Sequence, residues 1–298
     1  MKLLYSPAYE VDIGGHVFPT TKYRLVKERL LEEKIVTKDD FILSKKASDK
    51  DILLVHTKEY IKKLKTGTLS MQEIYKLELP YSEALVEASW FCAGGTIEAS
   101  RNALEDKIGI HIGGGFHHAF SDHGEGFCVL NDIAVAIRVL QKQKKIDKAL
   151  VVDCDLHHGN GTAAIFAEDN SVFTFSIHQR DNYPFPKPPG NMDIELDNGT
   201  GDGLYIKHLQ DNVPGIISSF KPDILMYVAG ADPYQYDQLG GLSLSIQGLA
   251  ARDELVMKAA LDNNIPVGVV FAGGYAVNTD DTVTIHANTV KTVLRLLS

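Results

Sequence analysis

The sequence is poor in cysteine and tryptophan, with three of the former and one of the latter in 298 residues. Three cysteines make neither a disulfide framework nor a four-cysteine zinc site. Cys92, Cys128 and Cys154 stand in apolar or strand-like runs and read as buried, reduced thiols. No stretch offers the about 20 consecutive apolar residues of a membrane span, and the opening MKLLYSPAYEVDIGGHVFP has no apolar run of signal-peptide length. A cytoplasmic protein is therefore expected. Positive charge is short as well: 30 Lys and Arg against 39 Asp and Glu leave a net −9. That balance argues against direct nucleic-acid binding, which needs a basic face. Repeats, low-complexity tracts and Pro/Ser-rich linkers are missing too, so collagen, disorder and coiled coil are excluded for the whole chain.

What the chain has is histidine, eleven in all. With so little cysteine, any bound metal must rest on histidine and carboxylate. Short apolar runs predict strands at Lys2–Tyr5, Ile52–Val55, Ile108–Ile112, Ala149–Asp155, Val172–His178, Ile224–Ala229 and Val267–Phe271. Longer amphipathic patterns predict helices at Tyr23–Glu33, Lys58–Lys65, Ser82–Ala103, Leu130–Lys144, Gly203–Ser219, Gln247–Asn263 and Asp280–Leu297. Several strands are apolar throughout, as strands buried on both faces of a parallel sheet must be. The alternation predicts one α/β domain over residues 1–298 with a central, mostly parallel sheet flanked by helices. One long stretch, Gln179–Gly203, is too rich in proline and glycine for a helix or a central strand, and a loop of that length is usually functional.

Ligands of open parallel sheets bind outside the carboxyl ends of the strands, and four strands here end in unusual chemistry. Ile108–Ile112 runs into Gly113-Gly114-Gly115-Phe116-His117-His118, a turn-forming glycine triplet followed by paired histidines. Leu150-Val151-Val152 runs into Asp153-Cys154-Asp155-Leu156-His157-His158-Gly159-Asn160-Gly161. Alternation along an extended chain puts Asp155 and His157 on one side, with Asp153 one pleat deeper and Cys154 pointing away. Ile224–Ala229 leads to Gly230-Ala231-Asp232-Pro233, which brings a further carboxylate from another strand. Val267–Phe271 ends in Ala272-Gly273-Gly274-Tyr275, which places a phenol at the same rim. Asp155, His157 and Asp232 make a three-ligand N/O set with an open position, the pattern of a catalytic metal. His117 and His118 are then candidates for moving protons, and Tyr275 for donating to an oxyanion. The chemistry implied is metal-assisted hydrolysis of an amide-like bond.

The phrases GGGFHHAF, GFCVLND, VDCDLHHGNGT, GADPYQYDQLGGLSLS and AGGYA, in this order, resemble the histone deacetylase superfamily of zinc-dependent acyl-lysine and acetylpolyamine hydrolases. The opening SPAYEVDIGGHVFPTTKYRL extends the likeness towards the N-terminus, and GGGFHH, SDHGEGFC and AGGY look most similar to the class IV branch and its bacterial relatives. The resemblance implies an arginase-like α/β domain and hydrolysis of acyl groups, acetyl or longer fatty acyl, from the ε-amino group of lysine in proteins or peptides. An acylated small amine such as an acetylpolyamine is the alternative substrate.

Residue by residue, the resemblance implies zinc, or Fe2+, on Asp155, His157 and Asp232. It makes His118 the base that later protonates the leaving amine, with His117 its partner held by Asp153, and Tyr275 the group that polarises the substrate carbonyl. Gly126 and Phe127 match one wall of the acyl-lysine channel. Tyr183 and Phe185 are expected on the opposite wall, Gly273 and Gly274 along it, and His16 and Phe18 at its entrance. A structural K+ is implied on Asp153, Asp155, His157, Ser176 and Ile177. Asn160 stands behind His118 where many relatives carry aspartate, so His118 is expected to have a lower pKa than His117. Either Lys22 or Arg24 matches a basic residue near an internal cavity. Glu78 reads as a rim acid, His178 as a neighbour of the site, and His123 as near the pocket. His158 reads as supporting or structural, and His56, His111, His208 and His286 as structural. A two-manganese ureohydrolase would need an Asp-x-Asp pair where Asp232 is followed by Pro233 and Tyr234. A non-enzymatic binder would have lost a ligand or the tyrosine, and none is lost.

Overall fold

The computed structural model describes residues 2–298. Eight strands form one sheet: β1 (Leu3–Tyr5), β2 (Phe41–Leu43), β3 (Ile108–His111), β4 (Ala149–Asp153), β5 (Val172–Gln179), β6 (Met192–Leu196), β7 (Ile224–Val228) and β8 (Val267–Val270). Their spatial order is β2-β1-β3-β8-β7-β4-β5-β6, and every neighbouring pair is parallel. Ten α-helices accompany them: α1 (Lys22–Glu32), α2 (Asp49–Ile52), α3 (Lys58–Thr66), α4 (Met71–Leu77), α5 (Glu83–Asp106), α6 (Asp132–Lys142), α7 (Asn160–Phe166), α8 (Asp202–Phe220), α9 (Ile246–Leu261) and α10 (Thr279–Leu297). The expected α/β architecture with a central parallel sheet is present. No helix among the described residues is long and apolar enough to cross a membrane.

The central strands are buried from end to end, which explains their continuous apolar sequences. Leu150 and Val152 of β4, Leu225 and Tyr227 of β7, and Val267 and Val269 of β8 are wholly inaccessible. At about 1.5–3 kcal/mol for each large apolar side chain, these strands hold the middle of the sheet rigid. Register aligns their carboxyl ends: Asp153 lies opposite Val228 of β7 and Ser176 of β5, and His111 opposite Val270 of β8. Four polar strand ends therefore converge on one rim.

Two departures from the sequence reading have local causes. Ile52–Val55 is not a strand. Ser48 caps α2 by accepting from Asp51 N, and Asp51 returns a bond to Ser48. The apolar residues that follow fold into the turn leading to α3, whose own cap is Thr57. Both edge strands, β2 and β6, escape the sequence pattern because edges are only half buried and lack a continuous apolar run. β6 interrupts the proline- and glycine-rich stretch, pairing with β5 from Phe175↔Met192 to Gln179↔Leu196.

Candidate active site

The turn after β3 begins the site. Gly113, Gly114 and Gly115 have φ of 151°, 71° and 83°, a path side chains resist. A Cβ on Gly114 would also lie 2.4 Å from Asp132 Oδ2. Asp132, at the start of α6, accepts from Gly115 N at 3.0 Å and Phe116 N at 2.8 Å and so fixes where the two histidines emerge. Asn131 caps the same helix and donates to Ala119 O at 3.2 Å.

His117 Nδ1 lies 2.7 Å from Asp153 Oδ2, and His118 Nδ1 2.7 Å from Asn160 Oδ1. Their rings are 4.0 Å apart. Burial alone would depress His117, but the carboxylates of Asp153 and Asp155 outweigh it and hold the ring up at about 9. Burial drives His118 well below the usual imidazole range, His117 and His157 add to that, and the bond to Asn160 only partly offsets it. The surroundings thus separate the two histidines in the expected order.

Asp155, His157 and Asp232 converge beside them, one ligand atom from each within 4.8 Å of the others. His157 Nδ1 is 3.3 Å from Asp155 Oδ1 and 3.3 Å from Asp232 Oδ2. Main chain holds three of the four carboxylate oxygens: Leu156 N donates to Asp232 Oδ1 (3.1 Å), Gly273 N to Asp155 Oδ2 (2.8 Å) and His157 N to Asp155 Oδ1 (3.0 Å). Asp232 Oδ2 is buried without a hydrogen-bond partner. A Cβ on Gly273 would sit 2.1 Å from that oxygen and 2.6 Å from Asp155 Oδ2. Burial and the charge of Asp155 both raise the Asp232 pKa. An orphaned oxygen, a cradle that admits no side chain and two facing carboxylates fit a divalent cation at this point.

Tyr275 follows this cradle. Its N donates to Asp237 Oδ2 at 2.7 Å, and its phenol pKa is raised, by burial first and then by Asp232 and Asp155, so it stays a donor. Beyond it a slot opens, lined by Phe18, Gly126, Phe127, His118, His157 and Tyr275. Phe127 holds φ of 66°, rare for an aromatic residue, and is tied by its N to Leu77 O at 2.9 Å. Phe18 stacks on Phe127 at 6.2 Å. His16 packs edge-on to Phe127 at 4.7 Å and contacts Glu78 O through Nε2 at 3.0 Å. Tyr183 stands 5.0 Å from His118 on the far side, and Glu78 is at the outer mouth.

Two channel expectations are corrected. Phe185 is 72% exposed, with its ring over the Lys187 ammonium at 4.3 Å rather than in the slot. Gly274 faces Thr282 and Ala231 behind the rim, and only Gly273 lines the cavity. The choice between Lys22 and Arg24 is resolved by placement. Lys22 is wholly buried and donates from Nζ to Ala272 O at 2.6 Å, its pKa lowered to about 8 by burial against the pull of Asp232, Asp155 and Asp237. Arg24 pairs with Glu10 and Glu28 at the surface.

His178 lies outside the slot, with Nδ1 2.9 Å from Ser176 Oγ and its ring 4.7 Å from His158, which contacts Asp193 at 3.2 Å. Lys187 bears on this group and opposes further positive charge there. Asp153, the last residue of β4, lies opposite Ser176 within β5, with Ile177 next along that strand and Asp155 and His157 in the segment that follows β4.

Sequence reasoning missed two groups. Arg252 of α9 is fully buried, donates to Cys154 O at 3.1 Å and Gly230 O at 2.6 Å, and pairs with Asp253. It braces the two strand ends that carry Asp155 and Asp232. Its sequence signal is faint, an Arg-Asp-Glu run in a helix that also carries Gln247 and Lys258. Glu125 accepts from Asn160 Nδ2 and from the Tyr183 hydroxyl, and also meets His123, the histidine expected near the pocket.

Comparisons with known proteins bear on the family and the fold. Residues 16–290 match the histone deacetylase domain. An uncharacterized protein of Picosynechococcus sp. is 36% identical over 286 residues, covering 96% of this chain and 95% of its own. The acetoin utilization protein AcuC of Bacillus subtilis is 32% identical over 267 residues (82% of this chain, 69% of its own). Histone deacetylase 2 of Arabidopsis thaliana is 29% identical over 289 residues (92% and 74%). The crystal structure of an HDA15 HD domain superposes with a TM-score of 0.81 at 22% identity, covering 99% of this chain and 91% of the other. With the domain match running over nearly the whole length, and the fold shared as well, the chain belongs to the histone deacetylase family.

Proposed function

We propose that this protein hydrolyses acyl-lysine in proteins or peptides, with Asp155, His157 and Asp232 holding a divalent cation, Zn2+ in the first place and Fe2+ as the other candidate. The observation that carries this is the convergence on one aromatic slot of a three-donor cation cradle, a histidine pair and a phenol. When bound, the cation supplies Lewis acidity towards an amide carbonyl and acidifies water. Every other task falls to the chain. Phe18, Phe127, Gly126 and Tyr183 form a narrow apolar passage that takes the methylene chain of lysine and keeps bulk water out. The Tyr275 hydroxyl donates to the carbonyl oxygen as charge builds on it. His118, neutral at pH 7, accepts the proton of the attacking water and returns it to the leaving amine. His117, kept cationic by Asp153, offsets the negative charge that develops nearby.

A K+ at Asp153, Asp155, His157, Ser176 and Ile177 would complete the charge balance beneath the carboxylates. A small apolar cavity shares Phe18, Tyr23 and Phe127 with the slot and is lined beyond them by Tyr9, Val11, Leu79, Leu85 and Val129; an acyl group longer than acetyl would have to enlarge and enter it. Three free buried thiols are in keeping with a reducing, cytoplasmic setting. The exposed Glu78 at the mouth favours a second reading, hydrolysis of an acylated cationic small amine. One experiment separates the two. Purified, metal-analysed protein is assayed on lysine peptides bearing acyl chains of increasing length, beside acetylputrescine and acetylspermidine. Greater kcat/KM on peptides supports the first reading. Preference for the polyamines selects the second, and no turnover of any amide by fully loaded protein rejects both.

A further inference from the structure

We propose that Glu125 is a positioning residue that decides which nitrogen of His118 carries the proton, acting through Asn160, and that the same carboxylate sets the far wall of the slot through Tyr183. The inference rests on the reading of His118 as the proton-accepting group.

An aspartate behind a histidine can only accept, so it fixes the tautomer unaided. An asparagine is ambiguous, because either its oxygen or its amide nitrogen can face the ring. Something else must orient it, and in this structure the orienting group is Glu125. Its Oε1 receives Asn160 Nδ2 at 2.7 Å and the Tyr183 hydroxyl at 2.9 Å, and its Oε2 lies 3.3 Å from His123 Nε2. Burial would raise the Glu125 pKa, but bonds from His123, Tyr183 and Asn160 hold it below the ordinary range. The group is therefore ionised and acceptor-only. Asn160 must turn its amide nitrogen towards Glu125, which leaves Oδ1 facing His118 Nδ1 at 2.7 Å. That oxygen accepts and cannot donate, so Nδ1 bears the hydrogen. Nε2 is left bare, the state a proton acceptor needs. The Tyr183 hydroxyl donates to the same oxygen of Glu125, which brings its ring edge-on to His118 at 5.0 Å. One half-buried carboxylate thus couples the tautomer of the base to the position of the channel wall.

The test is a double-substitution cycle on an acetyl-lysine peptide with zinc-loaded protein, all variants matched by thermal melting. Glu125→Ala frees Asn160 to flip and lowers kcat by roughly 10–100-fold, and, by releasing the Tyr183 hydroxyl, raises KM as well, whereas Tyr183→Phe raises KM and leaves kcat nearly unchanged. Asn160→Asp sets two carboxylates against each other and lowers kcat. Adding Glu125→Gln to Asn160→Asp lets the glutamine amide donate to the introduced carboxylate, which still accepts from His118, and restores kcat by at least about tenfold. The same Glu125→Gln change lowers kcat in the wild-type background. An independent readout uses metal-free, 15N-histidine-labelled protein. Its long-range 15N–1H spectrum shows His118 as the Nδ1–H tautomer, and Glu125→Ala gives a mixture. Additive losses in the cycle, or a pure Nδ1–H tautomer in Glu125→Ala, overturn the relay. His118→Ala keeps the two ideas apart. If it turns over substrate normally, the role of His118 fails. If it is inactive while the cycle is additive, only the role of Glu125 fails.

Discussion

The floor of the site and its mouth are built by different means. At the floor, four carboxylate oxygens are held by main-chain N–H groups of Asp155, Leu156, His157 and Gly273, all at the ends of central strands. At the mouth, separate segments meet through side chains: His16 on Glu78 O, Asn182 on Leu239 O, and Tyr183 on Glu125. Main-chain bonds at buried strand ends leave the floor little freedom. Bonds made by long side chains at half-exposed positions let the mouth adjust. On the proposed reading, floor substitutions should change turnover and metal content, and mouth substitutions should change substrate preference.

The sharpest way to break that contrast is Tyr275→Phe, which on the proposed reading removes one oxyanion donor without touching the cradle. Turnover is expected to fall by roughly 10²–10³ with metal content unchanged, and retention of more than half the activity would take Tyr275 out of the chemistry. Gly273→Ala pushes a methyl group between Asp155 and Asp232. Metal affinity should fall by roughly 10–100-fold, read by competition with a chelating dye, and unchanged affinity would contradict the cradle. Phe127→Ala acts on the mouth. Losing its contact with the substrate methylenes, about 1–2 kcal/mol, should raise KM roughly tenfold with little effect on kcat, whereas an equal fall in kcat would erase the distinction between the two regions.

The effect furthest from the chemistry lies in the floor's support. His56 Nε2 accepts from Asn131 N at 3.1 Å, and burial lowers its pKa from 6.5 to about 4. Below pH 6.5 the unfolded chain takes up a proton that the folded chain refuses, so this contribution is complete above 6.5 and is lost as pH falls towards 4. His56→Gln should flatten the pH dependence of stability in that window by up to about 1.4 kcal/mol per pH unit. Denaturant titrations at several pH values check this, and an unchanged slope would show that His56 does not titrate on unfolding.

The same contrast governs what is legible in the sequence. Asp153, Asp155 and His157 follow a continuous apolar strand, so alternation along the chain is enough to set them on one side of it. Their companions Asp232 and Tyr275 follow apolar strands in the same way. The central strands themselves are legible because burial on both faces demands unbroken apolar runs. Ile52–Val55 satisfies that pattern by accident, since a capped turn of helix buries an apolar cluster equally well. The mouth obeys no local period. Tyr183 is found and Phe185 misplaced because two aromatic residues separated by a proline give no indication of which one turns inward. Glu125 reaches the site through Asn160 and Tyr183, 35 and 58 residues further on, and Arg252 through Cys154 and Gly230, 98 and 22 residues back, and sequence spacing does not reveal such pairings.

The strand order also bears on how the protein is made. β3 and β4 leave the ribosome long before β7 and β8, yet the later pair fills the space between them. Until it does, His117, His118, Asp155 and His157 lie across a two-strand gap from one another's final neighbours, and Asp232 and Tyr275 have not yet been joined to them. A chain ending before β7 has neither Asp232 nor Tyr275 to place beside Asp155 and His157. On the proposed reading, the centre is whole only once the last strand has closed the sheet.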